Sequence, residues 1–216
     1  FHMSNSFVHL GKSLKKKEQL KKVEEMYEEE IKKWIQNKLH ENYKDIKQDA
    51  LNLFIELTGI NFNIVSQELS KLMLYIRDRP TVNKDDVNQI INRSLEQNVF
   101  LLTEYIQKGK KDKAIQLLND LITMKEEHIK LLSLITSNYR LYYQSKILEQ
   151  KGYSGQQIAK TVSAHPYRVK LALNQARYYQ LNDLLNIIDS CAETDYKLKS
   201  SYMDKQLILE LLILSL

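Results

Sequence analysis

From Tyr43 onward, apolar residues recur at steps of three and four, the signature of amphipathic helices. Ala50, Leu53, Phe54 and Leu57 form one stripe, and Gly59 follows as a residue able to end the helix at positive φ. Val65, Leu69, Leu72, Met73 and Ile76 form a second stripe, which Pro80 interrupts. Asn83 is placed to cap a third helix running to about Arg93, with Asp85 and Asp86 in its favourable first turn. A compact helical unit is thus predicted to end near Ser94. Upstream, residues 12–30 alternate Lys and Glu blocks, with Leu14, Leu20, Val23, Tyr27, Ile31 and Trp34 as sparse apolar points. That stretch reads as a charged helix exposed on most sides.

A second helical unit follows. The pattern predicts a helix over 98–108 that stops at Gly109, then one marked by Ala114, Leu117, Leu118, Leu121 and Ile122. Leu131, Leu132, Ile135, Tyr139 and Tyr142 mark a long helix that stops at Gly152. Ser154 with Gln157 has the spacing of a capping box, and Pro166 sits where a helix can begin without its missing N–H being needed. Two further helices are predicted over roughly 182–198 and 204–215. The stretch GKKDKAIQLLNDLI has the look of half a helical repeat but occurs once, which argues against a solenoid.

Composition supports the helical reading. Only 5 Gly and 2 Pro occur in 216 residues, too few for the turns of a sheet protein, so the expected class is all-α. The single cysteine, Cys191, excludes an internal disulfide framework and suits a reducing compartment. No apolar run approaches the roughly 18 residues of a membrane span, and no secretory leader is visible. The opening Phe1-His2-Met3 reads as a cloning remnant, so the natural chain is expected to extend further upstream. A net charge of +5 permits binding to nucleic acid or an acidic protein without demanding it.

Catalytic chemistry finds little footing. His2, His9, His40, His128 and His165 stand at no metal-ligand spacing, and no HExxH or Cys-His cluster exists, so no metal site is expected. Glu28, Glu29 and Glu30 are consecutive and point in different directions from a helix, which suits a solvated face better than an acid/base pair. No GxxxxGK[ST] loop is present to cradle a nucleotide phosphate. No catalytic residue and no cofactor are therefore assigned.

The stretch SGQQIAKTVSAHPYRVKLALNQARYY (154–179) has the order of a helix-turn-helix: a short polar helix, a turn and a basic helix. Two readings compete, a DNA-reading head and a core helix with basic flanks. Val169, Ala172, Leu173, Ala176 and Tyr179 make one buried stripe, whereas Arg168 and Lys170 lie about 200° apart around the helix and cannot share one groove-facing row. The core helix is the better fit. The closing stretch LILELLILSL (207–216) is apolar nearly all round yet too short to span a bilayer. Such a helix needs cover on every side, and one small unit covers about two faces, leaving the rest to its own domain or to a partner subunit.

Several of these stretches together resemble one family. QELSKLMLY, NVFLLTEYIQKGKKDKA, GYSGQQIAK with HPYRVK, and the closing LILELLIL occur in an order and spacing similar to the delta subunit of bacterial DNA polymerase III, from about Trp34 to the end. The resemblance implies a helical AAA+-type lid bundle over 23–94 and a helical clamp-loader collar, the oligomerisation domain, over 95–216. Residues 1–22 are then the remnant and the charged helix. It further implies a non-catalytic subunit of the replicative DNA polymerase III holoenzyme, itself a nucleotidyltransferase. This subunit would scaffold the loader pentamer that places the sliding clamp on primed DNA.

The partners so implied are the loader's ATPase subunits and delta-prime, primer–template DNA, and the clamp through a domain upstream of this chain. The implied location is cytoplasmic, at replication forks on the nucleoid, with no membrane. Leu207, Leu211 and Leu214 are the expected subunit-interface residues, and deleting LILELLILSL is expected to abolish assembly. Tyr202, with Lys199 and Lys205 beside it in sequence, is the candidate DNA contact, an aromatic ring among lysines suited to stacking on an unpaired base; the competing reading is a turn tyrosine packed on its own helix. The alternative is a helical nucleic-acid-binding protein that works alone.

Overall fold

A computed structural model describes residues 28–216. The charged helix expected over 12–30 lies almost wholly outside these residues, as does the start of the first unit at 23. The described residues are helical almost throughout, as the composition predicts. The apolar core divides in two, one cluster running from Ile31 to Ile91 and the other from Val99 to Ile213.

The first unit opens with α1 (Glu28–His40), whose Ile31, Ile35 and Leu39 are fully buried at successive turns. Its three glutamates sit in the first turn and Lys38 and His40 in the last, each complementing the helix dipole. A parallel ladder of two residues per strand joins β1 (Asp45–Ile46) to β2 (Thr81–Val82), in the register Asp45 to Thr81 and Ile46 to Val82. Hydrophobic period did not announce this ladder, because two residues carry no period. Between its strands run α2 (Gln48–Thr58) and α3 (Phe62–Ile76). On α2 the buried face is Ala50, Leu51, Phe54 and Ile55, so it lies one residue round from the expected stripe, and Leu53 and Leu57 flank it half-buried. Gly59 ends α2 at φ 72°, and Asn61 caps α3 by accepting from the amides of Asn63 and Ile64.

The helix expected to reach Arg93 is shorter. α4 (Lys84–Ile90) starts as predicted, with Asn83 and Asp86 in a reciprocal capping box. It stops because Ile91 turns extended (φ −93°, ψ 121°), which swings its side chain into the core. Ser94 then caps the next helix, accepting from the Gln97 amide, so α5 spans Leu95–Gln107 and begins three residues before the predicted 98.

The second unit continues with α6 (Lys111–Thr123), α7 (His128–Gln150), α8 (Gly155–Val162), α9 (Pro166–Ala176), α10 (Leu181–Ser200) and α11 (Lys205–Ser215). α7 is the axle, packed by α5, α8, α9, α10 and α11. It buries Leu131, Leu132, Ile135, Tyr139 and Tyr142, together with Asn138 and Ser145, on more than one face. The aromatic rings meet edge-on, with centroids 5.6 Å apart for Tyr139 and Tyr142 and 6.0 Å for Tyr139 and Tyr179. The Tyr142 hydroxyl lies 2.9 Å from the hydroxyl of Thr103, which ties α7 to α5. The capping box of Ser154 and Gln157 and the Pro166 start are both as read from the sequence. No helix among the described residues is long and apolar enough to cross a membrane.

Candidate assembly and nucleic-acid surfaces

The basic stretch around Pro166 is turned inward. His165 caps α9, its Nδ1 accepting from the Tyr167 amide at 3.1 Å, so this histidine serves the backbone. Val169, Ala172 and Ala176 are buried against α7, while Leu173 and Tyr179 are half-buried at the margin of that stripe. Arg168 Nη2 donates to Asn138 Oδ1 of α7 at 3.3 Å, and Lys170 Nζ lies 3.7 Å from Glu28 Oε2 of the first unit. The two cations therefore leave the helix in different directions, each towards its own chain. Tyr167, between His165 and Arg168, packs against the core of the first unit. Sequence reasoning missed Tyr167; the signal was an aromatic residue on the side of the helix opposite the buried stripe.

The C-terminal helix behaves differently. Asp204 caps α11 by accepting from the Leu207 amide at 2.9 Å, and Lys111 Nζ donates to the Leu214 carbonyl at 2.6 Å, placing a cation at the negative end of the helix. Gln206 Nε2 reaches Asn119 Oδ1 of α6 at 3.1 Å and fixes the rotation of α11. In that rotation Ile208, Leu209, Leu212 and Ile213 are at most 4% exposed. The other side carries Leu207, Leu211 and Leu214 at 44, 49 and 48% exposure. These three positions follow the i, i+4, i+7 rule and form one outward stripe. Covering the half of each leucine left in water is worth about 1 kcal/mol per side chain, about 3 kcal/mol together.

The link between α10 and α11 holds Tyr202, fully exposed at 108%. Ser201 Oγ accepts from the Met203 amide at 3.0 Å, a local turn that lifts the intervening tyrosine away from both helices. Lys199 Nζ pairs with Asp195 Oδ2 at 2.5 Å on the surface, so its charge is partly shared within α10. Lys205 has no ion-pair partner among the described residues and stands in the first turn of α11. Tyr202 and Lys205 stand just ahead of the outer leucines in sequence, but Lys205 lies about 200° round α11 from Leu207 and faces away from the apolar stripe. A tyrosine face and a lysine suit an unpaired base and its phosphate, and the apolar stripe suits another apolar helix.

No group of three His, Cys, Asp or Glu side chains that could hold a metal ion occurs among the described residues. Cys191 is buried, and burial pushes its thiol pKa up, the opposite of an activated nucleophile. A cleft of about 1440 Å³ lies between the two units, with Asn61 and Phe62 on one wall and Asn138, Arg140 and Arg168 on the other.

Comparison with known proteins agrees with the arrangement of these helices. Residues 96–216 match the family described as DNA polymerase III delta subunit, C-terminal domain. The DNA polymerase III subunit delta of Bacillus subtilis is 37% identical over 207 residues, covering 96% of this chain and 60% of that protein. A protein of Aquifex aeolicus named "Probable DNA polymerase III subunit delta" is 26% identical over 180 residues, covering 82% of this chain and 51% of that one. Among solved structures, the Bacillus subtilis DNA clamp loader delta protein superposes with a TM-score of 0.82 at 37% identity, over 88% of this chain and 56% of that chain. The chain therefore spans between half and two-thirds of the length of these relatives, and its family match covers α5 to α11. By that match, the chain belongs to the DNA polymerase III delta subunit family.

Proposed function

We propose that this chain is the lid and collar portion of a clamp-loader subunit that works by assembly and carries no chemistry of its own. In this reading the first unit, 23–94, is the lid and the second, 95–216, is the collar. The collar joins the ATPase and delta-prime subunits of a pentamer. The lid passes their ATP-driven motion to a clamp-opening domain upstream of this chain. The protein works in the cytoplasm at replication forks. The observation that carries this reading is the outer stripe of Leu207, Leu211 and Leu214, a continuous apolar row on a helix whose other side is already buried. Apolar rows of this kind are covered in subunit interfaces.

Tyr202 and Lys205, with Lys199 behind them, are proposed as the DNA contact of the assembled loader. The exposure of Tyr202 supports it, since a ring packed on its own helix would have no face left to stack. The competing reading, a DNA-binding protein that works alone, is weakened by the inward engagement of Arg168 and Lys170. Mixing the chain with the ATPase and delta-prime subunits and weighing the product by native mass spectrometry tests the proposal. A single heavy assembly containing this chain is expected. Failure to join, together with salt-dependent DNA binding by the isolated chain, favours the stand-alone reading.

A further inference from the structure

The two units meet at a narrow joint. The chain crosses between them over residues 91–94, which are non-helical, while α2 packs on α5. At the crossing the Ser94 amide donates to the Leu57 carbonyl at 2.8 Å, and Arg93 Nη2 reaches Glu56 Oε1 at 3.2 Å. Gly59 lies so close to the second unit that a Cβ there would stand 2.9 Å from Gln97 Nε2. The wide cleft opens beside this joint and is walled by both units. A short irregular linker next to an open cleft is the geometry of a hinge.

One side chain reaches across from the second unit. Tyr167, at the start of α9, packs against the first unit's core. Its phenol is pushed up to about 12 by burial, with Glu28 and Glu56 raising it and Arg93 opposing, all three belonging to the first unit or its linker. Lys170, about one turn further on, faces Glu28. Arg168 holds α9 to α7 of its own unit, so the reach of Tyr167 is fixed from behind.

We propose that Tyr167 is a latch that keeps the two helical units closed about a hinge at 91–94, so that withdrawing its ring lets the units swing as separate bodies. The latch is a property of the whole chain and does not depend on the clamp-loader reading. The Ser94 amide is a built-in reporter, because its hydrogen bond spans the joint.

Residue-resolved hydrogen exchange on the full chain tests the proposal. In Tyr167→Ala the Ser94 amide is expected to exchange at least tenfold faster, with the amides of Val65 in the first core and Tyr142 in the second unchanged. Tyr167→Phe, which keeps the ring, is expected to exchange as the parent does. An unchanged Ser94 rate in Tyr167→Ala overturns the latch, and so does a common acceleration at all three amides. As a second measurement, spin labels at Gln67→Cys and Asn182→Cys, in a Cys191→Ser background, are expected to give one narrow distance that broadens on adding Tyr167→Ala. An unbroadened distribution overturns the hinge.

Discussion

Tyr202 and the tyrosines of the core show how the environment of one residue type sets what it can do. Tyr202 stands in water with its ring faces free. Stacking on a base contributes about 1–3 kcal/mol, and the lysines add a term that any phosphate backbone shares. Tyr202→Ala is therefore expected to weaken primer–template binding by the assembled loader about tenfold or more, while binding to plain duplex changes little. Equal losses on the two DNAs, measured side by side by fluorescence anisotropy, reject stacking.

Tyr139, Tyr142, Tyr167 and Tyr179 have the opposite surroundings. Burial disfavours each phenolate and raises all four pKa values. A raised folded pKa means that above pH about 10 the unfolded chain sheds its phenol protons before the folded chain does. The folded state then binds more protons, so stability falls as pH rises. Urea unfolding is expected to show a shallow loss of stability from about pH 8.5, where the thiol of unfolded Cys191 ionises first, and a steep loss from about pH 10 upward. Stability unchanged at pH 11 contradicts this reading of the core.

At the scale of elements, what the sequence showed depends on how many residues carry the signal. The caps were legible because each rests on a few side chains at fixed offsets: Asn83 with Asp86, Ser154 with Gln157, and Pro166 at a first turn. The end of α4 was not legible, because Ile91 leaves the helix for a tertiary reason, the burial of its own side chain. The parallel ladder at Ile46 and Val82 was too short to show any period. The two-sidedness of α11 was visible only as an excess of apolar positions. Which leucines face out is decided by the rotation that Gln206 and Lys111 fix through partners far along the chain.

That rotation changes the meaning of a deletion. Removing residues 207–216 takes Ile208, Leu209, Leu212 and Ile213 out of the core along with the outer stripe. Each such loss costs about 2–5 kcal/mol, and the four together, about 8–20 kcal/mol, match the roughly 5–15 kcal/mol that holds a domain folded. The truncated chain is expected to lose the cooperative thermal transition of its second unit in calorimetry, so its failure to assemble says nothing about the surface. A truncated chain that melts as sharply as the parent contradicts the packing described for α11.

At the scale of the whole molecule, two small cores share one chain. The split near Ser94 was legible from the restart of the helical pattern after Arg93. The contact across it was not, because Tyr167 comes from far along the sequence and lies opposite its helix's buried stripe. The first unit spends its polar groups internally: Asp86, almost wholly buried, accepts from Arg79 Nη1 at 2.6 Å and from the Asn83 amide at 2.9 Å. The second unit leaves an apolar row uncovered on its last helix.

The most direct test of the account is therefore assembly by the chain carrying Leu207→Ser, Leu211→Ser and Leu214→Ser together. Each leucine is already about half covered, so the variant is expected to lose about 3 kcal/mol and to melt lower by roughly 10 °C while keeping one cooperative transition. Native mass spectrometry with the ATPase and delta-prime subunits is expected to show the heavy assembly with the parent chain and its loss, or at least a hundredfold weakening, with the folded variant. A folded variant that joins with undiminished affinity contradicts the claim that this stripe builds the assembly.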